Sequence, residues 1–415
     1  MLTPIKILHQ LPFLRLLTFL ILGIALASIK TDVNLGLIFI IITLIISLIC
    51  TWLPPNKSYY KGMVIMFSII TLGYFAVHIE KPFKEDINII ESLAQDANSL
   101  FADIFTKHLD TNSSALCKAL CIADKSELSS DIKKDFSRAG ASHILAVSGM
   151  HVGIIFTAIS TLIGLISKSR KFQLFGSIIA ICFLWFYAFI CGLQPSIIRA
   201  CTMFTVPIIA KFLNRDNISF NSLLFTAFCM LIYDYTYLFN LGFQLSFLAV
   251  AGILLFQEKI FNIFPLQNKI LIWIWSLTSV SIAAQITTLP LTIYYFHNIP
   301  ILSLLSNLIV VPIATLLIYF SGGLFTFQLT SISKFISLII NKLSSALNST
   351  IENFSHLEYA TIENINISIF QVILIYLIIL QTRVYISSKK PLHLMVILSL
   401  FILFLAYDII YLLFM

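Results

Sequence analysis

The chain has 415 residues, of which 59% are hydrophobic and 11% are charged, whereas soluble domains are close to half apolar and a quarter charged. Its mean hydropathy is +0.97. A soluble fold of this composition could not bury its apolar side chains and still present a wettable exterior, which excludes a soluble enzyme, a disordered chain and a disulfide scaffold. We therefore expect an all-α, polytopic integral membrane protein whose exterior is solvated by lipid.

The net charge and the cysteines add further limits. The 26 basic residues exceed the 19 acidic ones, for a net charge of +7. Such an excess accompanies nucleic-acid binding or an anionic membrane face, but in a membrane protein most of it reflects Lys and Arg in cytoplasmic loops. Cys117 and Cys121 stand four apart on a predicted helix, without a CxxC pair or a zinc spacing. The other five cysteines are expected to be small buried hydrophobes: Cys50, Cys182, Cys191, Cys201 and Cys229.

Apolar runs in chain order predict about eleven membrane-spanning helices, since a bilayer needs roughly 20 apolar residues per helix. The runs are 13–29, 35–53, 63–78, 144–167, 172–190, 197–212, 220–232, 241–256, 270–295, 369–380 and 394–415. Residues 301–329 are also apolar but are interrupted by Pro312 and Gly322-Gly323. Residues 335–351 have an amphipathic pattern instead. The first run ends in Ala25-Leu26-Ala27, which resembles a signal cleavage site. We favour an uncleaved first span over a cleaved signal, because further spans follow at once.

Basic residues in the loops predict the orientation. They follow alternate runs of the chain: Lys57 and Lys61, then Lys168, Arg170 and Lys171, then Lys211 and Arg215, then Lys259 and Lys269, and finally Arg383, Lys389 and Lys390. If all of them are cytoplasmic, the amino terminus is cytoplasmic as well and residues 81–141 face outward. Residues 301–329 must then start and finish outside, so we expect a broken or re-entrant helix at Pro312 and Gly322.

The chain divides into three predicted regions. Residues 1–80 contain three N-terminal transmembrane helices, and residues 142–415 contain the remaining spans. Residues 81–141 form an extracytoplasmic, amphipathic helical segment, because apolar side chains recur with helical spacing through residues 87–109. Two shorter helices, at 115–123 and 128–137, follow within this segment.

The first polar cluster lies at the head of a span, where polar side chains are costly and therefore informative. His143, Ser148 and His151 lie there, with Gly149 and Gly153 spaced to admit a neighbouring helix. Ser148 and His151 are three apart and share a helix face, so a nucleophile pair is geometrically conceivable. We favour tight packing with histidine hydrogen bonds, because no acidic residue that could orient the histidine lies nearby in sequence.

Three further clusters follow along the chain. The second contains Gly192, Ser196 and Arg199, and its arginine either extends to the outer membrane interface, lines a pore or pairs with an aspartate of the third cluster. The third cluster contains Asp234, Gln244 and Ser246, with helix–helix hydrogen bonding as the simplest role of the glutamine. In the fourth, Pro290 and Pro312 are expected to break helices, so that nearby polar residues line a water-filled cavity: Gln285, Thr287, Thr288, His297, Ser303, Ser306 and Asn307.

Together these clusters resemble the transmembrane competence domain of the ComEC family, whose members form the inner-membrane channel for DNA uptake in bacterial transformation. HILAVSGMHVG at His143–Gly153 looks like the family's His-Leu-Leu-Ala run followed by Ser-Gly-Leu-His-Val-Gly. Gly192–Ala200 is similar to its Gly-x-x-x-Ser-x-x-Arg-Ala pattern, and Gly242–Phe247 to Gly-Phe-Gln-Leu-Ser-Phe. Leu289–Pro312 resembles its succession of proline, phenylalanine, Asn-Leu and proline. Four motifs in order make the resemblance specific.

The resemblance has gaps. Family members usually carry an external OB-type domain, where this chain has only residues 81–141, and many carry a metallo-β-lactamase-like domain after the spans. Asp234-Tyr235 stands where an Asp-Pro pair is common. No GxxxxGK[ST] phosphate loop and no HExxH zinc motif occur in the chain. The resemblance therefore implies a conduit without its own nuclease and without the usual DNA-binding OB module. The missing motifs predict that the chain has no ATP-driven motor, cofactor or metal of its own.

From this resemblance we expect a non-enzymatic channel for single-stranded DNA in the bacterial cytoplasmic membrane, with residues 142–415 as its channel domain. His143, His151, Arg199 and Gln244 are candidates for its polar path. The expected partners are single-stranded DNA, a separate DNA receptor, an ATP-driven motor, a nuclease, membrane lipid, and a second copy of the chain in a homodimer. The alternatives are a permease for another anionic solute and, less favoured, an intramembrane enzyme that uses Ser148 and His151.

Overall fold

The structure is a computed structural model, and it describes residues 11–29, 38, 40–45, 58–78, 84–145, 147–166, 169–213, 219–357 and 360–414. Helices account for nearly all of its regular structure, which confirms the all-α prediction. In the described residues, strands β1 (Ile299–Pro300) and β2 (Thr361–Ile362) form one short antiparallel pair, with Ile299 opposite Ile362. Most of the predicted second span, 35–53, lies outside the described residues.

Contacts group the chain into two units whose boundaries differ from those of the three predicted regions. The first unit contains residues 1–87 and 202–247, and the second contains residues 88–201 and 248–415. The first unit includes α1 (Pro12–Ile29), α2 (Ser58–Ala76), α10 (Ser219–Tyr233) and a 3₁₀ helix (Tyr235–Phe239). Helices α3 (Lys84–His108), α9 (Pro195–Phe212) and α11 (Leu241–Phe261) each run from one unit into the other.

The remaining helices belong to the second unit. They are α4 (Thr111–Ile122), α5 (Ser130–Arg138), α6 (Ser142–Leu145), α7 (Gly149–Ile166), α8 (Arg170–Ile190), α12 (Lys269–Phe296), α13 (Ser303–Phe327), α14 (Ile332–Ser355), α15 (Ile369–Ser388) and α16 (Pro391–Phe414).

Seven described helices are long and apolar enough to cross a membrane, and four more apolar helices are shorter. The long ones are α1, α7, α9, α11, α12, α13 and α15, and the shorter apolar segments lie in α2, α8, α10 and α16. Their lipid-facing surfaces explain why many large apolar side chains are exposed. The prediction of a polytopic membrane protein is thus confirmed.

Close approach of α1 and α2 in the first unit depends on two glycines. A Cβ at Gly23 would meet the Ile70 carbonyl, and one at Gly73 would meet the Leu20 carbonyl. Each glycine therefore lets the facing backbone come within contact distance, as small residues do between membrane helices. Leu20 and Ile24 of α1 are fully buried and join the core of this unit with side chains of α10.

The core of the second unit surrounds α4. Every residue from Ser113 to Ile122 is buried, and α4 packs against α13 and α14. The Asp110 carboxylate begins this helix by accepting a hydrogen bond from the Ser113 amide at 2.8 Å. Buried Lys118 forms an ion pair of 2.7 Å with Glu127. A short helix that the sequence placed in an outward-facing amphipathic segment is therefore enclosed by protein on all sides.

Helix α14 confirms the amphipathic pattern predicted for residues 335–351. Its buried face includes Ile336, Ile340, Leu347 and Ile351, whereas Phe335 and Leu338 are exposed. The buried residues recur every three to four positions, so they form one stripe of the helix. This stripe joins the same core as α4.

The predicted break in residues 301–329 is wrong. Helix α13 runs without interruption from Ser303 to Phe327 and carries Pro312 in its interior. Pro290 likewise lies inside α12 rather than ending it. In an apolar setting a continuous helix satisfies the most backbone groups, so prolines that would end a soluble helix are tolerated inside these helices.

A second correction concerns the head of the span predicted at 144–167. Helix α6 ends at Leu145 and α7 begins at Gly149, so Ser148 lies outside both helices. The Ser148 hydroxyl accepts a hydrogen bond from the Met150 amide at 3.3 Å, as the N-cap of a helix does. His143 and Ser148 therefore lie before the membrane helix and not within it.

Candidate functional site

The turn at Gly140 joins the first predicted cluster to the start of α13. Gly140 has a φ of +73°, and a Cβ there would lie 2.5 Å from the Ser303 Cβ and 2.9 Å from the Pro300 Cβ. The Ala141 amide donates to the Phe136 carbonyl at 2.8 Å and closes the turn after α5. Only glycine combines this backbone conformation with such close packing.

Buried hydroxyls hold this turn to α12 and α13. Ser306 Oγ donates to the Ala139 carbonyl at 2.7 Å, and Gln285 Nε2 donates to Ser303 Oγ at 3.0 Å. Both serines are buried. These three residues of the predicted fourth cluster therefore bind protein groups of the turn and of each other. We call the set of Gly140, Gln285, Ser303 and Ser306 the turn cluster.

Asn307 extends the turn cluster along α13. Its side chain is 8% exposed, and its Oδ1 atom is buried without a hydrogen-bond partner among the described residues. Buried amide oxygens almost always have a partner. An ordered water would supply such a partner.

Ser148 and His151 form a local pair at the start of α7. The Ser148 amide donates to His151 Nδ1 at 3.2 Å, and Ser148 Oγ lies 3.3 Å from the same nitrogen. Because Nδ1 accepts a backbone N–H, we assign the ring proton to Nε2. In the described part of the chain, the fully buried Nε2 has no hydrogen-bond partner.

This geometry gives both residues a structural role at the head of α7. The Ser148 hydroxyl caps the helix, and the His151 ring accepts a hydrogen bond from the Ser148 amide. Within the described residues, the hydrogen bonds of His151 all go to Ser148 and none to a carboxylate. A serine nucleophile needs a base that a third group orients, so the arrangement favours the packing interpretation from the sequence.

His143 on α6 differs from His151 because its side chain is accessible to solvent. The surrounding protein still removes much of its hydration, which lowers the pKa of the imidazole below 6.5, while a hydrogen bond to the Gly140 backbone opposes the shift. The ring is therefore neutral at pH 7. It offers hydrogen bonds but no positive charge.

The second cluster begins α9. Gly192 has a φ of +68° and Leu193 a φ of 50°, and together they reverse the chain after α8. Ser196 is half-buried in the first turn of α9, and Arg199 lies one turn further on with only 5% of its surface exposed. This burial argues against the alternative in which Arg199 extends to the outer interface. The alternatives in which it lines a pore or pairs with Asp234 stay predictions.

The structure brings the first and second clusters together. A Cβ at Gly149 would lie 3.8 Å from the Ala200 Cβ, so the heads of α7 and α9 are in van der Waals contact. The Gly153 carbonyl faces its own helix, where it accepts a hydrogen bond from Thr157 Oγ1 at 2.7 Å. Buried Arg199 precedes Ala200. The turn cluster, the head of α7 and the head of α9 all belong to the second unit.

The third cluster lies in the first unit and builds its own turn. Asp234 Oδ1 accepts hydrogen bonds from the Thr236 amide at 3.0 Å and from its hydroxyl at 2.6 Å. Gln244 Nε2 donates to the Leu238 carbonyl at 2.8 Å, and Ser246 Oγ donates to the Gly242 carbonyl. Helix–helix hydrogen bonding was expected for Gln244, and its side chain joins the 3₁₀ helix to the start of α11.

Asn98 and Tyr187, which lie outside the four sequence clusters, tie α3, α4 and α8 together. Asn98 Nδ2 donates to the Ile122 carbonyl at 2.7 Å and to the Ile190 carbonyl at 2.9 Å. Tyr187 Oη donates to the Cys121 carbonyl at 2.9 Å. Ile122 and Ile190 are the last residues of α4 and α8, so Asn98 satisfies two helix ends at once. No pattern in the sequence around Asn98 indicates that its side chain binds the ends of two other helices.

The thiols of Cys117 and Cys121, near the end of α4, are buried and unreactive as nucleophiles. Cys117 and Cys121 are buried and free, and burial raises the pKa of Cys121 to about 12 and that of Cys117 well above 9.0. Both stay protonated at neutral pH. Among the residues that the structure describes, no three His, Cys, Asp or Glu side chains form a group that could hold a metal ion.

Fold and site together define an all-helical, multi-spanning membrane protein in which two sequence motifs meet next to a buried arginine. The family model for Competence protein matches residues 120–389. The chain belongs to this family, and the resemblance inferred from its motifs is confirmed.

Three relatives give the extent of the similarity. The chain is 28% identical to ComE operon protein 3 of Bacillus subtilis over 61% of its own length and 32% of that protein. It is 31% identical to an uncharacterized protein of Aquifex aeolicus over 32% of this chain and 30% of the relative. Uncharacterized protein YcaI of Escherichia coli is 24% identical over 48% of this chain and 27% of its own length. The chain thus spans about a third of the length of these relatives. No solved structure matches it.

Proposed function

We propose that this protein forms the passage for single-stranded DNA across the bacterial cytoplasmic membrane during natural transformation. Membership of the Competence protein family supports a role in DNA uptake. The observation that carries the channel proposal is the meeting of the first two motifs at Gly149 and Ala200, next to buried Arg199. A charged side chain in a membrane domain is expensive and marks a path for ions or polar substrates.

The chemistry of the site suits a phosphate backbone. Arg199 supplies a permanent positive charge with five donors, which suits phosphate oxygens. His143 is neutral and accessible, so it adds a hydrogen bond without holding the strand too tightly. His151 Nε2 and Asn307 Oδ1 lack partners among the described residues, and both would be satisfied by water in a wet path. A strand must bind well enough to enter and weakly enough to leave.

The remaining parts of the uptake apparatus are proposed as separate proteins. A receptor would deliver DNA, an ATP-driven motor would pull it, and a nuclease would degrade the complementary strand. Membrane lipid surrounds the spans, and a homodimer is the assembly we propose. The amino terminus lies on the cytoplasmic side, in keeping with the basic residues after alternate predicted spans.

A permease for another anionic solute is the second candidate, because Arg199 would attract any anion. An intramembrane enzyme built on Ser148 and His151 is less favoured, since Ser148 already caps α7. The three candidates differ in what crosses the membrane and in whether a bond is broken. Deleting the gene and following labelled double-stranded DNA separates them.

In the deletion strain we expect label to remain bound at the cell surface while label in the cytoplasm falls to background. Complementation with the intact chain should restore entry. Normal entry of label, in a strain with no second copy of the gene, would refute the channel proposal. Normal entry together with loss of uptake of a small anion would support the permease.

A further inference from the structure

Two cations meet at one hydroxyl where α11 and α15 end. Lys259 Nζ donates to Ser387 Oγ at 3.1 Å, and Arg383 Nη1 donates to the same oxygen at 2.5 Å. Lys259 lies in the last turn of α11, and Arg383 and Ser387 lie in the last two turns of α15. All three residues belong to the second unit. We call them the basic triad.

The basic triad contains no anion. Across the described residues, neither Lys259 nor Arg383 forms an ion pair with a carboxylate, and Glu258 next to Lys259 is exposed and makes no such pair. A serine hydroxyl can accept both donors but cannot neutralise two positive charges. Like charges held this close repel each other, and the Glu258 carboxylate offsets part of this repulsion at Lys259. A further negative group between Lys259 and Arg383 would therefore be favourable.

Capping of a helix end explains one hydrogen bond of Arg383, but it does not explain why Lys259 and Arg383 both donate to Ser387. Arg383 Nε donates to the Leu255 carbonyl at 3.1 Å, and cations near helix C-termini are favourable. That bond fixes the guanidinium between α11 and α15. The outer nitrogen of Arg383 and the ammonium of Lys259 remain directed at Ser387, whose side chain is exposed. The donors are therefore prearranged at the surface of the protein.

The surface around the triad is apolar. Leu254 of α11 and Leu380, Val384 and Ile386 of α15 are large hydrophobic residues with exposed side chains. In a membrane protein such residues face acyl chains. Lys389 and Lys390 follow the triad directly and are exposed. A basic group beside a lipid-facing apolar surface, at the end of two spans, has the layout of a lipid headgroup site.

We propose that Lys259, Arg383 and Ser387 bind the phosphate of an anionic phospholipid at the cytoplasmic face of the membrane. One phosphate oxygen accepts from Lys259 Nζ and another from Arg383 Nη1. The Ser387 hydroxyl, which donates to the Arg383 carbonyl at 3.3 Å in the structure, donates to the phosphate instead. The acyl chains lie along the exposed leucines of α11 and α15. DNA is the weaker match, since its aqueous path would not run along residues exposed to lipid. This proposal does not depend on what the protein transports.

The test uses the full chain in nanodiscs of phosphatidylcholine with and without phosphatidylglycerol, with retained lipid counted by native mass spectrometry. We expect Lys259→Gln and Arg383→Gln each to lower retained phosphatidylglycerol about tenfold, the loss of one charge-assisted hydrogen bond. Lys269→Gln is the matched control, because exposed Lys269 begins α12 and is predicted to lie on the same face. It should retain lipid as the parent chain does.

A further variant protects the test against misfolding. Ser387→Asp places a carboxylate between the two cations, so it should raise the thermal midpoint in pure phosphatidylcholine and remove the response to phosphatidylglycerol. Equal lipid retention by the parent and the two glutamine variants would overturn the proposal. If inorganic phosphate raises the thermal midpoint of the protein as much as phosphatidylglycerol does, the triad is a site for free phosphate instead. Displacement of the lipid by a single-stranded oligonucleotide would assign the triad to nucleic acid.

Discussion

The backbone of Gly140 lies directly against Ser303, so that a Cβ at Gly140 would lie 2.5 Å from the Ser303 Cβ. This relationship joins two motifs more than 150 residues apart. Ser306 strengthens it from the same helix by donating to the Ala139 carbonyl at 2.7 Å. The turn after α5 and the start of α13 therefore behave as one packed element.

Gly140→Ala should destabilise the protein by about 2–4 kcal/mol, since it adds a left-handed backbone penalty and a steric clash. Thermal unfolding in detergent measures the change. Gly192→Ala is the control, because Gly192 has a similar φ of +68° with nothing within 4 Å of the added Cβ. It should cost only about 1–2 kcal/mol. Equal losses in the two variants would show that the contact with Ser303 is not tight.

Asn98 is predicted to matter through the two helix ends that it caps. Asn98→Ala leaves the Ile122 and Ile190 carbonyls without this donor and should cost about 1–3 kcal/mol. Asn98→Asp should cost more, because a carboxylate would face carbonyls at the negative ends of two helix dipoles. Ser99→Ala is the control, since Ser99 is exposed and its hydroxyl donates to the Asp96 carbonyl of its own helix. Parent-like stability of Asn98→Asp would contradict the assignment.

Ser148→Ala tests capping against catalysis. Loss of the cap should lower stability by about 1 kcal/mol, and Ser148→Asp should recover most of it. We expect the amount of DNA that enters per folded molecule to stay unchanged in both variants. If uptake survives while an acyl or peptide hydrolysis disappears, Ser148 is a nucleophile and the enzyme alternative gains.

The buried thiols give a chemical test of the core around α4. With the pKa of Cys121 raised to about 12, and with Cys117 fully buried, neither should react with maleimide at pH 8 in the folded protein. Both should react after denaturation, as mass spectrometry of the peptide that contains them would show. Rapid labelling of the folded chain would mean that α4 is not enclosed.

The sequence predicts the helical class, most of the spans and the amphipathic α14, because each depends on local hydrophobic period. It does not predict that α4 is buried on every side, since Ser113, Ser114 and Lys118 look like surface residues. Their burial depends on α13 and α14, which follow almost 200 residues later. The continuous α13 was missed for a related reason. A proline often ends a helix in water, but in lipid unpaired backbone groups cost so much free energy that the helix continues past it.

The candidate site was predicted in part. The motifs identified His143, Ser148, His151, Arg199 and Asn307 by residue type alone. They could not show that Ser148 caps α7, because that depends on where α6 ends and α7 begins within an apolar run. Nor did they indicate Asn98, whose role arises only when α4 and α8 end at the same place. Long-range packing decides such roles, and a single sequence carries no local trace of it.

The most direct measurement of the central claim is DNA entry through Arg199 variants expressed at equal levels in the membrane of a deletion strain. Arg199→Ala should reduce the entry of labelled DNA at least about tenfold, and Arg199→Lys should retain part of it, because lysine keeps the charge but loses the fork of donors. Arg138→Ala, at an exposed arginine that ends α5, should leave entry unchanged. Entry at the parental rate in Arg199→Ala would contradict the proposal that this buried cation lines the DNA path.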